Sequence, residues 1–283
     1  MATFYNQATL SYNDNVINSN IVTGEIVEVI TASKTAVPAT YSIGDEITYV
    51  ISIINSGSAA FTNLTVTDNL GAYTFGAGQV VPLTYVDGSV RYFANGVLQA
   101  APTVVSENPL VFSGISVPAN GNSIIVYRAR VNSFAPPDVE GVITNSAVIS
   151  GDRVTPVTVE ATISAASSLG LVITKSVSPE VVPENGQLTY TFTITNTGTV
   201  PALVSDNLVV TDTFDPILDI TAVSFNGTAW TESAEYTYDE TTGSFSTVAG
   251  QITVPAATYS QNPATGEWVV TPGVSVLRVT GTI

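Results

Sequence analysis

The sequence predicts an all-β protein built from two tandem sandwich domains. Runs rich in Val, Ile, Thr and Tyr alternate between apolar and polar residues along the whole chain, and clusters of Gly, Pro and Asn separate them. No stretch of helical length carries an apolar period of 3.6 residues. With 283 residues, 45% of them hydrophobic and 11% charged, the chain is long and apolar enough for two domains with their own cores.

One unit of sequence occurs twice without gaps. SKTAVPATYSIGDEITYVISIINSG starts at Ser33, and TKSVSPEVVPENGQLTYTFTITNTG starts at Thr174. Short strands at this spacing, in units of roughly 110 to 150 residues, favour Ig-like β-sandwiches, although the spacing alone is also compatible with barrels. We therefore expect an Ig-like sandwich over residues 29–164, a linker over residues 165–170 and a second sandwich over residues 171–283.

A second, shorter repeat is displaced along the chain. FYNQATLS, from Phe4, matches ITNSAVIS, from Ile143, position for position, but it precedes a domain whereas the later copy closes one. The second unit runs to VSVLRVTGTI without a counterpart of residues 134–163. We expect residues 1–28 to be a donor hairpin that completes the second domain of another copy. The alternative is a hairpin that folds back onto its own second domain or pairs loosely with the first. The residues expected to be buried in the acceptor are Phe4, Ala8, Leu10, Val16, Ile21 and Ile26.

Three kinds of polar residue lie on strand faces where apolar residues are expected. Side chains alternate between the two faces of a strand, so the parity of a position decides its face. By parity, Lys34 shares a face with Ile30, and Lys175 shares one with Ile173. These two are the only lysines in the chain. The other polar residues on apolar parity are Asp68, Asp212, Asn145 and Asn6.

Burying such groups costs several kcal/mol unless they form hydrogen bonds or ion pairs with one another. We therefore expect the lysine, the aspartate and the asparagine that belong to each domain to lie in contact. A desolvated amine loses its proton readily and can attack a carboxamide while a buried acid polarises the carbonyl and shuttles protons. The product is a Lys–Asn isopeptide bond, with loss of ammonia. The plainer alternatives are solvated lysines on edge strands, aspartates that cap the following turn, and buried amides bonded to the backbone.

Together these motifs resemble a known family. The order is Lys, then Gly-Asp with an alternating Thr-Tyr strand, then Asn-Ser/Thr-Gly, then TVTD, and finally a closing T-N-S-A-x-V/I. It is similar to the Ig-like conserved repeat of bacterial and archaeal surface proteins, domain of unknown function eleven, over residues 31–163 and, without the closing hairpin, residues 171–283. The second unit departs from the pattern at Glu184-Asn185-Gly186, where Ile43-Gly44-Asp45 stands in the first.

Some members of that family and their relatives build extracellular threads joined by donor strands and isopeptide bonds. The resemblance implies the same for this chain: a Lys34–Asn145 bond within the first domain, assisted by Asp68, and a bond between copies from Lys175 to Asn6, assisted by Asp212. The implied partner is the protein itself in a head-to-tail polymer, which stays open unless symmetry closes a ring. A surface anchor or tip protein is a further candidate partner.

Composition excludes several other functions. The net charge of −16 disfavours nucleic acid and anionic membranes, and no apolar run approaches the eighteen or so residues that predict a membrane span. The absence of His and Cys removes the usual zinc sites, Ser-His-Asp triads and thiol nucleophiles. We expect no metal, no cofactor and no enzymatic turnover beyond a single autocatalytic crosslinking step.

Localisation follows from the expected role. The amino terminus has no basic region followed by an apolar stretch, so no signal peptide is read from this sequence. We nevertheless expect an extracellular appendage on a cell or spore surface. The alternative function is an adhesive or glycan-binding surface module, which would bind its ligand as a soluble monomer.

Overall fold

The computed structural model describes residues 2–283, and its regular structure is almost entirely β-strand, with one turn of 3₁₀ helix at Val204–Asp206. The predicted all-β sandwich fold is confirmed. The chain divides into two compact units. The first contains the residues up to Ala39, Gly44–Asn132 and Ile143–Ile163, and the second contains Thr40–Ile43, Ser133–Val142 and Ser164–Ile283.

The first four strands form a hairpin. They are β1 (Ala2–Asn6), β2 (Thr9–Tyr12), β3 (Asn15–Asn18) and β4 (Val22–Ile26). Strand β1 pairs with β4 and β2 pairs with β3, and no other strand in residues 2–283 joins these two sheets. Asn13 and Asp14, both at positive φ, form the two-residue turn at the tip.

The first unit is a sandwich of two sheets. Its first sheet has the order β13-β12-β16-β7-β5, with β11 also on β16, and its second has the order β14-β15-β8-β17-β18. Short β6 adds in parallel to the last two residues of β18, within the second unit, and β9 pairs with β10. The strands are β5 (Ile30–Val37), β6 (Thr40–Tyr41), β7 (Glu46–Asn55), β8 (Phe61–Asp68), β9 (Tyr73–Phe75), β10 (Gly78–Val80), β11 (Leu83–Tyr85), β12 (Arg91–Ala94), β13 (Val97–Leu98), β14 (Thr103–Glu107), β15 (Leu110–Val117), β16 (Gly121–Val131), β17 (Val142–Gly151) and β18 (Val154–Ala165). Strand β18 thus includes Ala165, the first residue of the predicted linker.

The second unit repeats this plan with a smaller second sheet. One sheet has the order β19-β20-β28-β22-β23, and the other has only three strands, β21-β25-β24. Strands β26 and β27 form a separate hairpin. The strands are β19 (Leu171–Ser178), β20 (Gln187–Asn196), β21 (Thr211–Thr213), β22 (Asp219–Phe225), β23 (Thr228–Trp230), β24 (Tyr236–Asp239), β25 (Ser244–Thr247), β26 (Thr258–Gln261), β27 (Trp268–Thr271) and β28 (Gly273–Thr282).

Alternation along the strands builds both cores. In β7, the odd-numbered residues from Ile47 to Ile53 are fully buried, as expected for a strand with one face against a partner sheet. The second core is centred on Phe214, Phe245 and Leu277. Burial of these apolar faces at about 25 cal/mol per Å² is the main stabilising contribution in each unit.

Candidate functional site

Lys34 and Asp68 meet in the core of the first domain. Lys34 lies on β5, an edge strand of the first sheet, and Asp68 ends β8 in the facing sheet. The Lys34 Nζ atom is 2.7 Å from Asp68 Oδ2, and both side chains are 0% exposed. Asn145, on β17 next to β8, is also fully buried. The sheet packing therefore brings the three polar residues of the first domain into one interior.

Tyr127 links the acid to the amide. It lies on β16, and its hydroxyl donates a hydrogen bond to Asp68 Oδ2. The Asn145 Nδ2 atom donates to that same hydroxyl at 3.3 Å. Sequence reasoning missed Tyr127. A signal was available, because Tyr127 lies on the buried parity of its strand, where its hydroxyl needs a partner.

The Asn145 carbonyl is placed differently from expectation. The acid was expected to polarise this carbonyl, but Asn145 Oδ1 is buried with no hydrogen-bond partner. Asp68 Oδ2 instead accepts from Lys34 and Tyr127, and Asp68 Oδ1 accepts from the Leu70 backbone N–H at 2.9 Å. The acid therefore contacts the amide nitrogen through Tyr127 rather than the amide oxygen.

Burial sets the proton affinities of this site. Desolvation lowers the pKa of Lys34 to about 8, and the negative charge of Asp68 opposes part of this effect. Burial, together with the charge and the hydrogen bond of Asp68, raises the pKa of Tyr127 well above its usual value. The Tyr49 ring centroid lies 5.0 Å from Lys34 Nζ. Lys34 thus has access to its nucleophilic neutral form near neutral pH, while Tyr127 keeps its proton.

The structure can be compared with the plainer alternative for each of the three polar residues. Lys34 does lie on an edge strand, but it is buried instead of solvated. Asp68 does cap the following turn through its Oδ1 atom, in addition to pairing with Lys34. The hydrogen bond of Asn145 goes to a side-chain hydroxyl, not to the backbone. Lys34 and Asn145 therefore do not fit their plainer alternatives, whereas Asp68 fits its own and also pairs with Lys34.

The matching pair of the second domain is more open. Lys175 and Asp212 form an ion pair, and their side chains are 40% and 17% exposed. The rings of Tyr190, Phe192 and Phe214 surround Lys175 Nζ, with centroids at 4.5, 5.5 and 5.4 Å. This domain thus presents a lysine and an acid in contact on a face that is partly open to solvent.

The cause of this openness is the size of the second sheet. In the first domain, β8 pairs with β15 on one side and with β17 on the other. Strand β21, which carries Asp212, pairs with β25 alone among the strands of residues 2–283. The core-facing parity of β19 is correspondingly uncovered, with Leu171 and Ile173 37% and 51% exposed.

Asn6 lies at the end of β1, away from any sandwich sheet. Phe4, Ala8 and Leu10 are exposed with it. Directly opposed residues of an antiparallel pair share a face, and the register places Val22 opposite Asn6 and Ile17 opposite Leu10. Val16 opposes Ser11, and Ile21 lies between β3 and β4, where one extra residue separates these strands relative to β1 and β2. The burial of Val16 and Ile21 in another copy stays a prediction.

This hairpin has the same span as the one that closes the first domain. Ala2 opposes Ile26, and the Ala165 N–H donates to the Gly141 carbonyl. Asn6 follows the first of these ends by four residues, and Asn145 follows the other by four. Both hairpins thus present an asparagine at the same distance from their open end.

Residues 2–283 contain no cluster of three or more acidic side chains arranged to hold a metal ion. No helix within that range has the length and apolar character needed to cross a membrane.

Comparison with known proteins gives distant matches only. No family model and no curated protein matches the chain. Among solved structures, BcpA, the major pilin subunit of Bacillus cereus, is 12% identical over 95% of this chain and 73% of its own, with a TM-score of 0.39. The pilus backbone RrgB of Streptococcus pneumoniae is 13% identical at a TM-score of 0.35 over 86% of this chain, which spans 55% of that protein.

A collagen-binding domain from a Staphylococcus aureus adhesin matches half of the chain. It is 12% identical over 50% of this chain and 99% of its own, with a TM-score of 0.30. These identities are too low to carry a functional role from any of these proteins to this chain.

Proposed function

We propose that the protein is the structural subunit of an extracellular filament that grows head to tail. The hairpin β1–β4 of one copy completes the second domain of the next by donor-strand complementation. A Lys34–Asn145 isopeptide bond, assisted by Asp68, locks the first domain. A bond from Lys175 to Asn6 of the neighbouring copy, assisted by Asp212, locks the joint.

One observation carries this proposal: the second domain has an uncovered Lys175 face, and the chain has a free hairpin built like the one that covers Lys34. The free edge of β21 supports it, because unpaired strand edges favour strand addition. The exposed apolar side chains of the hairpin support it as well. They are Phe4, Leu10, Ile17, Val22 and Ile26, each more than half exposed. A hairpin of this composition gains stability from a covering surface.

The first domain suggests the register of the joint. There, Ala147 opposes Asp68 and Val148 opposes Thr67. Transferred to the second domain, Ala8 opposes Asp212 and Thr9 opposes Thr211. Asn6 then lies two positions beyond Ala8 on the same face, as Asn145 does relative to Ala147. The donor carboxamide reaches the Lys175 face in this register and in no register shifted by one residue.

The energetics explain why a covalent lock is useful. Completing the burial of five large side chains that are already half covered contributes roughly 4 to 8 kcal/mol, from about 1.5 to 3 for each full burial. Association costs about 4 to 15 kcal/mol. Docking alone is thus reversible, and a bond to Asn6 makes the joint permanent. We further propose membership of the Ig-like conserved repeat family, on the strength of the motifs around Lys34, Asp68 and Asn145.

Disulfide trapping tests the joint cleanly because the chain has no cysteine of its own. In a Lys175→Ala background, which removes the covalent joint, Thr9→Cys and Thr211→Cys are combined and oxidised. The expected result is a ladder of oligomers on a non-reducing gel that collapses to monomer on reduction. Either substitution alone gives at most dimers.

Two outcomes would contradict the proposal. A monomer with an internal disulfide between the two introduced cysteines would show that the hairpin folds back onto its own second domain. An unlinked monomer that instead binds a glycan or matrix protein would favour the adhesive alternative. Deletion of residues 1–28 is the matched control, since it removes the donor and should leave the first domain folded but no polymer.

A further inference from the structure

Tyr127 lies between the acid and the atom that must leave when an isopeptide bond forms. Attack of the Lys34 amine on the Asn145 carboxamide expels the Nδ2 nitrogen as ammonia. That nitrogen donates its hydrogen bond to the Tyr127 hydroxyl, and the hydroxyl donates to Asp68 Oδ2. The same Oδ2 atom accepts from Lys34 Nζ. A continuous chain of hydrogen bonds therefore runs from the nucleophile to the leaving group.

We propose that Tyr127 is a catalytic residue of the intramolecular bond, relaying a proton from Asp68 to the departing nitrogen of Asn145. The inference rests on the Lys34–Asn145 bond of the proposed function and adds a residue and a proton path to it. Tyr127 contacts a reacting atom directly, so its role goes beyond packing.

The protons and bonds balance without any external reagent. Lys34 first passes a proton to Asp68, which leaves a neutral amine and a carboxylic acid. The amine attacks Cγ of Asn145 and the new C–N bond forms. The Cγ–Nδ2 bond breaks as Nδ2 takes a proton from Tyr127, which regains one from Asp68. The Asp68 carboxylate, whose Oδ2 atom contacts the Lys34 nitrogen, then takes the second proton of that nitrogen. The products are a secondary amide and ammonia, Asp68 ends as a carboxylic acid, and Tyr127 ends as it began.

Burial explains why a relay is needed. Lys34, Asp68 and Asn145 are all closed off from solvent, and Tyr127 is 0% exposed. The carboxyl group that accepts the proton of Lys34 makes no hydrogen bond to Asn145 itself, because its Oδ1 atom accepts from Leu70 N–H and its Oδ2 atom from Lys34 and Tyr127. The Tyr127 hydroxyl is the group that contacts both the acid and the leaving nitrogen.

The second domain differs at this position. Strand β16 begins with Gly121 opposite Asn55, and β28 begins with Gly273 opposite Asn196, so Val279 occupies the place of Tyr127. A valine cannot relay a proton. The Lys175–Asn6 bond between copies is therefore expected to form more slowly than the Lys34–Asn145 bond. The first domain should thus be crosslinked before neighbouring copies are.

Crosslinking kinetics on newly made full-length chain test the relay. The chain is produced by cell-free synthesis and followed from the end of translation, because a bond that has already formed in purified protein is not reversed by denaturant. Samples are quenched in acid at intervals, and the intact mass reports the loss of ammonia. Tyr127→Phe is compared with the wild type and with Tyr92→Phe. Tyr92 is a matched control, because its buried hydroxyl also bonds within the first domain, to Ser116.

The relay predicts that Tyr127→Phe lowers the rate constant for loss of the first ammonia by about 100-fold or more, the usual contribution of a positioned general acid. Tyr92→Phe should stay within about threefold of the wild type. Equal rates for Tyr127→Phe and the wild type would overturn the relay while leaving the bond intact. A wild type that loses no ammonia at all would overturn the bond and the relay together, and the disulfide ladder would still test the joint.

If Tyr127→Phe does not fold, a second variant still tests the relay. Site-specific fluorotyrosine at position 127 keeps the shape and the hydroxyl but makes the hydroxyl more acidic. A relay predicts a changed rate constant at this position and none for the same replacement at Tyr92. An unchanged rate at both positions would count against the relay.

Discussion

Replacement of Asn145 by alanine removes the carboxamide that the proposed Lys34–Asn145 crosslink requires. The proposed bond would close a loop of roughly 110 residues, and the chain-entropy relation for a crosslink of that size gives about 5 kcal/mol of stabilisation. The mutation also deletes the hydrogen bond to Tyr127, worth about 1 kcal/mol, but Asn145 Oδ1 has no partner to lose. We therefore expect Asn145→Ala to destabilise the first domain by roughly 5 kcal/mol.

The two domains can be followed separately in one urea titration. Both tryptophans, Trp230 and Trp268, lie in the second unit, so their emission reports that unit alone, whereas far-UV circular dichroism reports both. With a slope of about 2 kcal/mol/M, the transition of the first domain should move down by about 2 to 3 M urea. The tryptophan transition should not move. The intact mass of the variant should lack the loss of ammonia that the proposed first-domain crosslink predicts for the wild type.

Asn55→Ala is the control for losing a buried asparagine without losing a crosslink. Asn55 donates to the carbonyls of Ala59 and Pro118 and accepts from the Gly57 N–H, so its loss should destabilise the domain while the mass still shows the ammonia lost. If Asn145→Ala and the wild type unfold within about 0.5 M urea of each other, the reasoning about the crosslink is refuted.

The remaining predictions concern the lysines and their partners. Lys34→Met removes the same proposed crosslink as Asn145→Ala and also leaves Asp68 buried without its partner. It should therefore cost at least about 5 kcal/mol in urea unfolding, and its mass should show no ammonia lost in the first domain. In Asn145→Ala, Lys34 stays titratable. Its folded pKa of about 8 lies below its ordinary 10.5, so the unfolded chain binds more protons between these values, and stability should rise with pH from about 8 upward. The same titration of Lys34→Met/Asn145→Ala should lack that rise, and a flat profile in the single variant would argue against a desolvated amine. Lys175→Ala should give polymers that boiling detergent dissolves, whereas Lys34→Ala should leave the detergent-resistant joints in place, as judged by gel electrophoresis.

The sequence alone determined which face each polar residue occupies in the first domain. Strand parity placed Lys34, Asp68 and Asn145 on core-facing positions, and all three are buried there. Parity is a local property of an extended chain, so it can be read from the alternation of residues without knowing what the strand packs against. The all-β fold and the likeness of the two hairpins could be read in the same way.

The tertiary structure decided what those faces meet. Tyr127 joins Asp68 to Asn145 only because β16 in one sheet faces β8 and β17 in the other, and contacts across a sandwich leave no periodic trace in the sequence. The same holds for the exposure of Lys175, which depends on which strands flank β21. The placement of Ile17 opposite Leu10 and of Val22 opposite Asn6 depended on one extra residue in the returning strand of the hairpin, since a single insertion exchanges the two faces of every residue beyond it.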